Sequence, residues 1–177
     1  PSHAVVALPF LRTPLVPAAI AVGAMTPDLP LFVRAVVPSY AVTHDLLALP
    51  LTVAIALLLL LVWRCVLRPA ARELAPRWVA ERLPDAWDAA PAIGARETFA
   101  GRGRRVSTGG IVVLLLSLAL GVVTHLVWDA FTHEGRWGSA VLPALADSWG
   151  PVPGYTWLQH ASSAGGLIAL AVAGTIW

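Results

Sequence analysis

Residues 110–133 read GIVVLLLSLALGVVTHLVWDAFTH. Up to Trp128 the stretch is apolar apart from Ser117, Thr124 and His125. At about 1.5 Å per residue, a helix from Gly110 to Trp128 nearly matches a hydrocarbon layer roughly 30 Å thick. Its end then places His125, Asp129 and His133 four residues apart, so a helix that continues through Ala-Phe-Thr-His carries all three on one face. Ionisable groups are expensive at the end of an oily helix and need partners there.

The rest of the chain agrees with a membrane setting. Its 177 residues are 58% hydrophobic and only 12% charged, with a mean hydropathy of +0.74, too oily for an ordinary soluble domain of this length. The expected fold is all-α: a single polytopic membrane helical bundle over residues 1–177. Leu46 to Val66, LLALPLTVAIALLLLLVWRCV, is the strongest span, with Arg64 near its end and able to snorkel. Gly110 to Trp128 is the second, and Ala161 to Trp177 the last apolar run. The chain starts at Pro1 and stops inside that run, which predicts truncation at the C-terminus. All twelve basic residues are arginine and the net charge is only +2, a balance that does not point to nucleic acid. The single Cys65 excludes an intrachain disulfide and a cysteine zinc cluster. Nothing in the residues selects an oligomeric state.

Charge distribution suggests an orientation. Nine of the twelve arginines, against five of the ten acidic residues, lie between Arg64 and Arg105. The positive-inside rule puts this loop in the cytoplasm. Within the segment 68–107, RPAARELAPRWVAERLPDAW suggests a short amphipathic helix followed by a Pro-, Gly- and Ala-rich loop, and GRGRRVS suits a headgroup interface. The span from Leu46 then begins, and the one from Gly110 ends, at the extracytoplasmic face. His44, His125, Asp129 and His133 meet there, with His160 beside the top of the last run.

The N-terminal portion is broken by Arg12-Thr13-Pro14. An arginine at the bilayer midplane costs several kcal/mol, so a hairpin of two short helices, about 3–11 and 15–25, is expected in place of one span. The hairpin returns Asp28 to the side of His3, whereas a through-span would separate them by a membrane.

The polar set has a chemical use. Imidazole and carboxylate suit zinc and other divalent first-row ions. His125, Asp129 and His133 from one helix, with His44 from a facing one and Asp28 from a loop, are candidate ligands. Each has a plainer reading. His and Asp can hydrogen-bond neighbouring helices, with Thr43, Thr124 and Thr132 as partners, and Trp128 and Trp137 can be interfacial anchors. Asp28 can form an Asx turn between Pro27 and Pro30. Asp45 has three comparable roles: ligand, acceptor for a histidine ring, or helix cap. Glu134 points about 100° from His133 on a continuous helix and receives no role. Arg136 and His160 read more simply as solvated or interfacial groups.

The ordered motifs PSHAVVALP, GAMTPDLP, THDLL and THLVWDAFTH resemble the signature of a bacterial membrane protein family of unknown function. That family is distantly similar to the inner-membrane metal-dependent hydrolases of the YdjM type. The resemblance covers nearly the whole chain and implies that His3, Asp28, His44, His125, Asp129 and His133 are the metal ligands. Two positions depart from the pattern. Ser-His-Ala stands where Ser-His-Pro is common, and Thr-His-Asp where Thr-His-Ser is common, so Asp45 adds a negative charge beside the proposed ligands.

The activity this implies is metal-dependent hydrolysis at the membrane surface. A divalent ion, zinc being the first expectation, would activate water, and Asp45 or Asp129 would orient or deprotonate the nucleophile. A lipid or phosphoester substrate fits the location. Two other classes compete. A metal-ion or small-solute carrier needs a continuous polar route, against which IVVLLLSLALGVV offers only Ser117 and Gly121. A noncatalytic scaffold would leave the polar groups hydrogen-bonded to one another with no room for an ion.

Overall fold

The computed structural model describes residues 2–33, 38–100 and 105–176. The fold is all-helical. A 3-10 helix, Ser2–Phe10, turns through Leu11–Val16 into α1, Pro17–Met25. Each arm has nine residues and is too short to cross a hydrocarbon layer roughly 30 Å thick. The Arg12-Thr13-Pro14 break is the turn itself: Thr13 donates its hydroxyl to Phe10 O at 3.0 Å and accepts from Leu15 N at 3.3 Å.

Helix α2, Leu49–Val62, lies within a continuous helical stretch, Leu46–Leu74. Trp63–Leu67 forms a π-helical turn. Pro69 follows it and has no N–H for the ordinary helical bond, a standard cause of such a widened turn. The stretch therefore runs past Val66, the boundary expected from hydropathy. Beyond it, the expected Pro-, Gly- and Ala-rich loop contains another helix, α3, Pro91–Ala100. Gly94 lets α3 approach the Arg64 carbonyl closely, and Arg68 pairs with Glu97 at 3.1 Å. Residues 101–104 of the basic stretch GRGRRVS lie outside the described residues.

Ser107 caps the start of α4, Thr108–Thr132, by accepting from Gly110 N at 3.1 Å. The last helix, α5, is Gly154–Ile176, beginning before the apolar run at Ala161. Among the described residues, two helices are long and apolar enough to cross a membrane: Leu46–Leu74 and Thr108–Thr132. Leu58, Leu116 and Ile168 are all more than half exposed.

The core lies where α1 crosses α2 and α4, and joins Val16, Ala19, Ala56, Leu60, Leu114 and Leu118. Gly23 and Gly121 set this crossing. A Cβ on either would collide with backbone of the facing helix, at Leu118 O for Gly23 and at Ile20 O for Gly121. Small residues facing one another let helices approach backbone to backbone, as in membrane helix pairs. Beside the core, Ser117 Oγ accepts from Val16 N at 3.0 Å and donates to Val113 O at 2.6 Å. The start of α1 is thereby tied to the middle of α4.

Candidate metal centre

The same crossing fixes the polar end. One helical turn beyond Gly121, His125 donates from Nδ1 to the Ala24 carbonyl at 2.8 Å. Ala24 lies in the last turn of α1, and the chain leaves α1 through the 3-10 turn Thr26–Asp28, which brings Asp28 to the same spot. The segment before α2 is clamped to this turn by Thr43, which donates to Pro27 O at 2.8 Å. His44 follows Thr43 directly. Its Nδ1 lies 3.0 Å from the Tyr40 carbonyl, which can only accept, so the proton sits on Nδ1.

Both imidazoles are therefore held by backbone carbonyls through Nδ1, and both turn Nε2 inwards. The two Nε2 atoms are 3.3 Å apart. Asp129 Oδ2 is 3.3 Å from His44 Nε2 and 3.4 Å from His125 Nε2. Asp28 Oδ1 is 3.5 Å from His125 Nε2 and 4.0 Å from His44 Nε2. All four ligand atoms lie within 4.8 Å of one another. Ligands about 2.1 Å from a tetrahedral ion are separated by about 3.4 Å, which is the spacing of the His44–His125–Asp129 triangle. Two lone pairs and a carboxylate facing at this distance repel unless a cation or proton lies between them. Carbonyl-anchored imidazoles are the usual support of a metal site, so the donor set fits a divalent ion.

Further groups surround this set. Tyr40 donates its hydroxyl to Asp129 Oδ2 at 3.4 Å and stacks on the His44 ring at a centroid distance of 3.7 Å. Burial, with Asp129 and Asp28 nearby, pushes the Tyr40 phenol up to about 12, so it remains a donor throughout the working range. His3 lies over the His125 ring, centroids 4.2 Å apart, with Nε2 4.0 Å from Asp129 Oδ1. Burial and the neighbouring His125 hold His3 below the ordinary imidazole range, which favours the neutral, ligating form.

Other expected residues stand apart from the four. Helix α4 stops at Thr132, and His133 is its extended C-cap, so the third member of the four-residue series leaves the helical face. The Gln159 amide lies 3.1 Å from His133 Nε2, while His133 Nδ1 is 3.7 Å from Asp129 Oδ2. Asp45 is exposed and caps the turn Leu46–Ala48, accepting from Leu47 N at 2.9 Å. Of its three expected roles, this contact is the cap. His160 and Glu134 are exposed, and Arg136 is half-buried.

Two cavities flank the cluster. One of about 700 Å³ is bordered by His3, Asp28, His125, Asp129 and His133, with Val123 and Val127 on its apolar side. The other, about 440 Å³, is bordered by His44, Asp45, Asp129 and Arg136. Tyr40 and the supporting Ala24 carbonyl escaped the sequence reading. Tyr40 stands four residues before His44, a spacing that marks stacking partners on a helical turn. The carbonyl carries no sequence signal at all.

The whole chain, residues 1–177, matches the family described as Domain of unknown function (DUF4184), and the protein belongs to that family. No curated protein and no solved structure matches it.

Proposed function

We propose that this DUF4184 member is a multi-pass membrane protein carrying a divalent metal centre, with zinc as the first candidate, and that it hydrolyses a lipid or phosphoester at the membrane surface. The observation that carries the reading is the His44–His125–Asp129 triangle, with sides of 3.3, 3.3 and 3.4 Å and both imidazole protons turned away to backbone carbonyls. A bound divalent ion in such a site lowers the pKa of water and polarises a phosphoryl or acyl oxygen. His44, His125, Asp129 and Asp28 hold it. The Asp28 side chain is 27% exposed against 4% for Asp129, so Asp28 is the carboxylate that opens to incoming water and can orient or deprotonate it. Tyr40 fixes Asp129 by its hydrogen bond. The motif resemblance to YdjM-type hydrolases carries an expectation of the same reaction class.

In this reading the N-terminal arms form a re-entrant hairpin that delivers His3 and Asp28, and the arginine-rich segment 68–107 lies in the cytoplasm. The site then faces the extracytoplasmic side of a bacterial membrane. A carrier is disfavoured because the hydroxyl of Ser117 is consumed by Val16 N and Val113 O. A purely structural cluster is disfavoured by the adjoining cavity of about 700 Å³ and by Asp129 Oδ1, which is buried without a hydrogen-bond partner.

The test is elemental analysis of detergent-purified protein alongside His125→Ala and Asp129→Ala. Retained metal in the wild type, lost in both variants, is expected. Metal content that ignores both substitutions overturns the site, and a hydrolase screen with phosphoester and carboxylester lipids then addresses the reaction.

A further inference from the structure

The four convergent ligands leave two groups unexplained. Asp129 directs Oδ2 towards His44, His125 and the Tyr40 hydroxyl, while its Oδ1 is buried and has no hydrogen-bond partner. An unsatisfied buried acceptor costs about 1–3 kcal/mol, more when charged. The second group is His3, whose Nε2 faces that same oxygen from 4.0 Å.

The distance discriminates between two uses of His3. It is too long for a hydrogen bond, which needs about 2.7–3.2 Å between nitrogen and oxygen. It lies within the span of about 3.4–4.2 Å open to two ligands on one ion, each about 2.1 Å from it. Space is available, because His3, Asp28, Asp129 and His133 all border the larger cavity. His133 Nδ1 lies 3.7 Å from Asp129 Oδ2, so it flanks the bridging carboxylate.

We infer that the protein holds a second divalent cation beside the first, with Asp129 bridging the two: Oδ2 on the ion of His44, His125 and Asp28, and Oδ1 with His3 Nε2 on the other. Water completes the second position. The inference rests on the metal-centre reading above and narrows its substrate class. Ions about 3.5–4 Å apart form the clamp that stabilises the attacking and leaving oxygens of an in-line displacement at phosphorus, which favours a phosphoester over a carboxylester.

The experiment is zinc titration of the detergent-purified full chain, with bound metal counted per protein, followed by electron paramagnetic resonance after manganese loading. The wild type is expected to bind two ions and to give a spin-coupled manganese signal. His3→Ala and His3→Gln should each bind one ion and give the signal of an isolated one. One ion per wild-type chain, or two ions retained in a folded His3 variant, overturns the second site and leaves the first intact. No bound ion in the wild type overturns both. Should neither His3 variant fold, the wild-type count and spin coupling decide the matter alone.

Discussion

Helix α4 carries two buried polar positions that behave in opposite ways. In its middle, Ser117 is fully buried among Leu114, Leu118 and Val16, and its hydroxyl both donates and accepts. Three turns further on, Asp129 is almost as deeply buried, yet one oxygen has no hydrogen-bond partner and the other faces two imidazole Nε2 atoms. The first is a closed account of hydrogen bonds and serves the fold. The second is left open, as the proposed metal centre requires. Burial alone does not separate structural from functional polar groups; the state of their hydrogen bonds does.

Three substitutions press on that contrast. Gly121→Val should have the largest effect, because its side chain would enter the α1 backbone at the helix crossing. Overpacking costs about 1–3 kcal/mol and more against backbone, and parting α1 from α4 also withdraws the Ala24 carbonyl from His125. Thermal unfolding in detergent should shift down and metal retention should fall together; a variant that loses neither would show that the crossing does not build the site. Ser117→Ala removes the acceptor of the buried Val16 N–H and should cost about 1–3 kcal/mol of stability. Its metal content should stay at the wild-type level, and a loss would erase the division between the two halves of α4. Tyr40→Phe should be the mildest, leaving stability nearly unchanged and weakening metal binding by about 10-fold, the low end of the range for partners that support a ligand. Competition with a chelator of known affinity measures it, and an unchanged affinity would remove Tyr40 from the site.

The two long apolar helices and the alignment of His125 with Asp129 were legible from residue order, since both depend on periodicities that operate within one helix. His133 does not follow that periodicity. Its four-residue spacing points to the helical face, but α4 ends at Thr132 and the backbone turns extended. Asp45, for which ligand, histidine acceptor and helix cap were equal readings, makes the cap contact with Leu47 N. The helix Pro91–Ala100 was hidden in a Pro-, Gly- and Ala-rich composition and is stabilised by packing on Arg64 and by the Arg68–Glu97 pair.

By itself the sequence determined the all-helical class, the positions of the two longest apolar helices and the identity of the residues able to bind a metal. These follow from hydropathy, helical period and side-chain chemistry, all local properties. Only the tertiary structure decided which candidates come together. Ala24 and His125 are separated by 101 residues, His44 and Asp129 by nearly as many, and their meeting depends on two glycines that let α1 and α4 touch. Contacts over such separations are set by the packing of whole helices, which no spacing along the chain encodes.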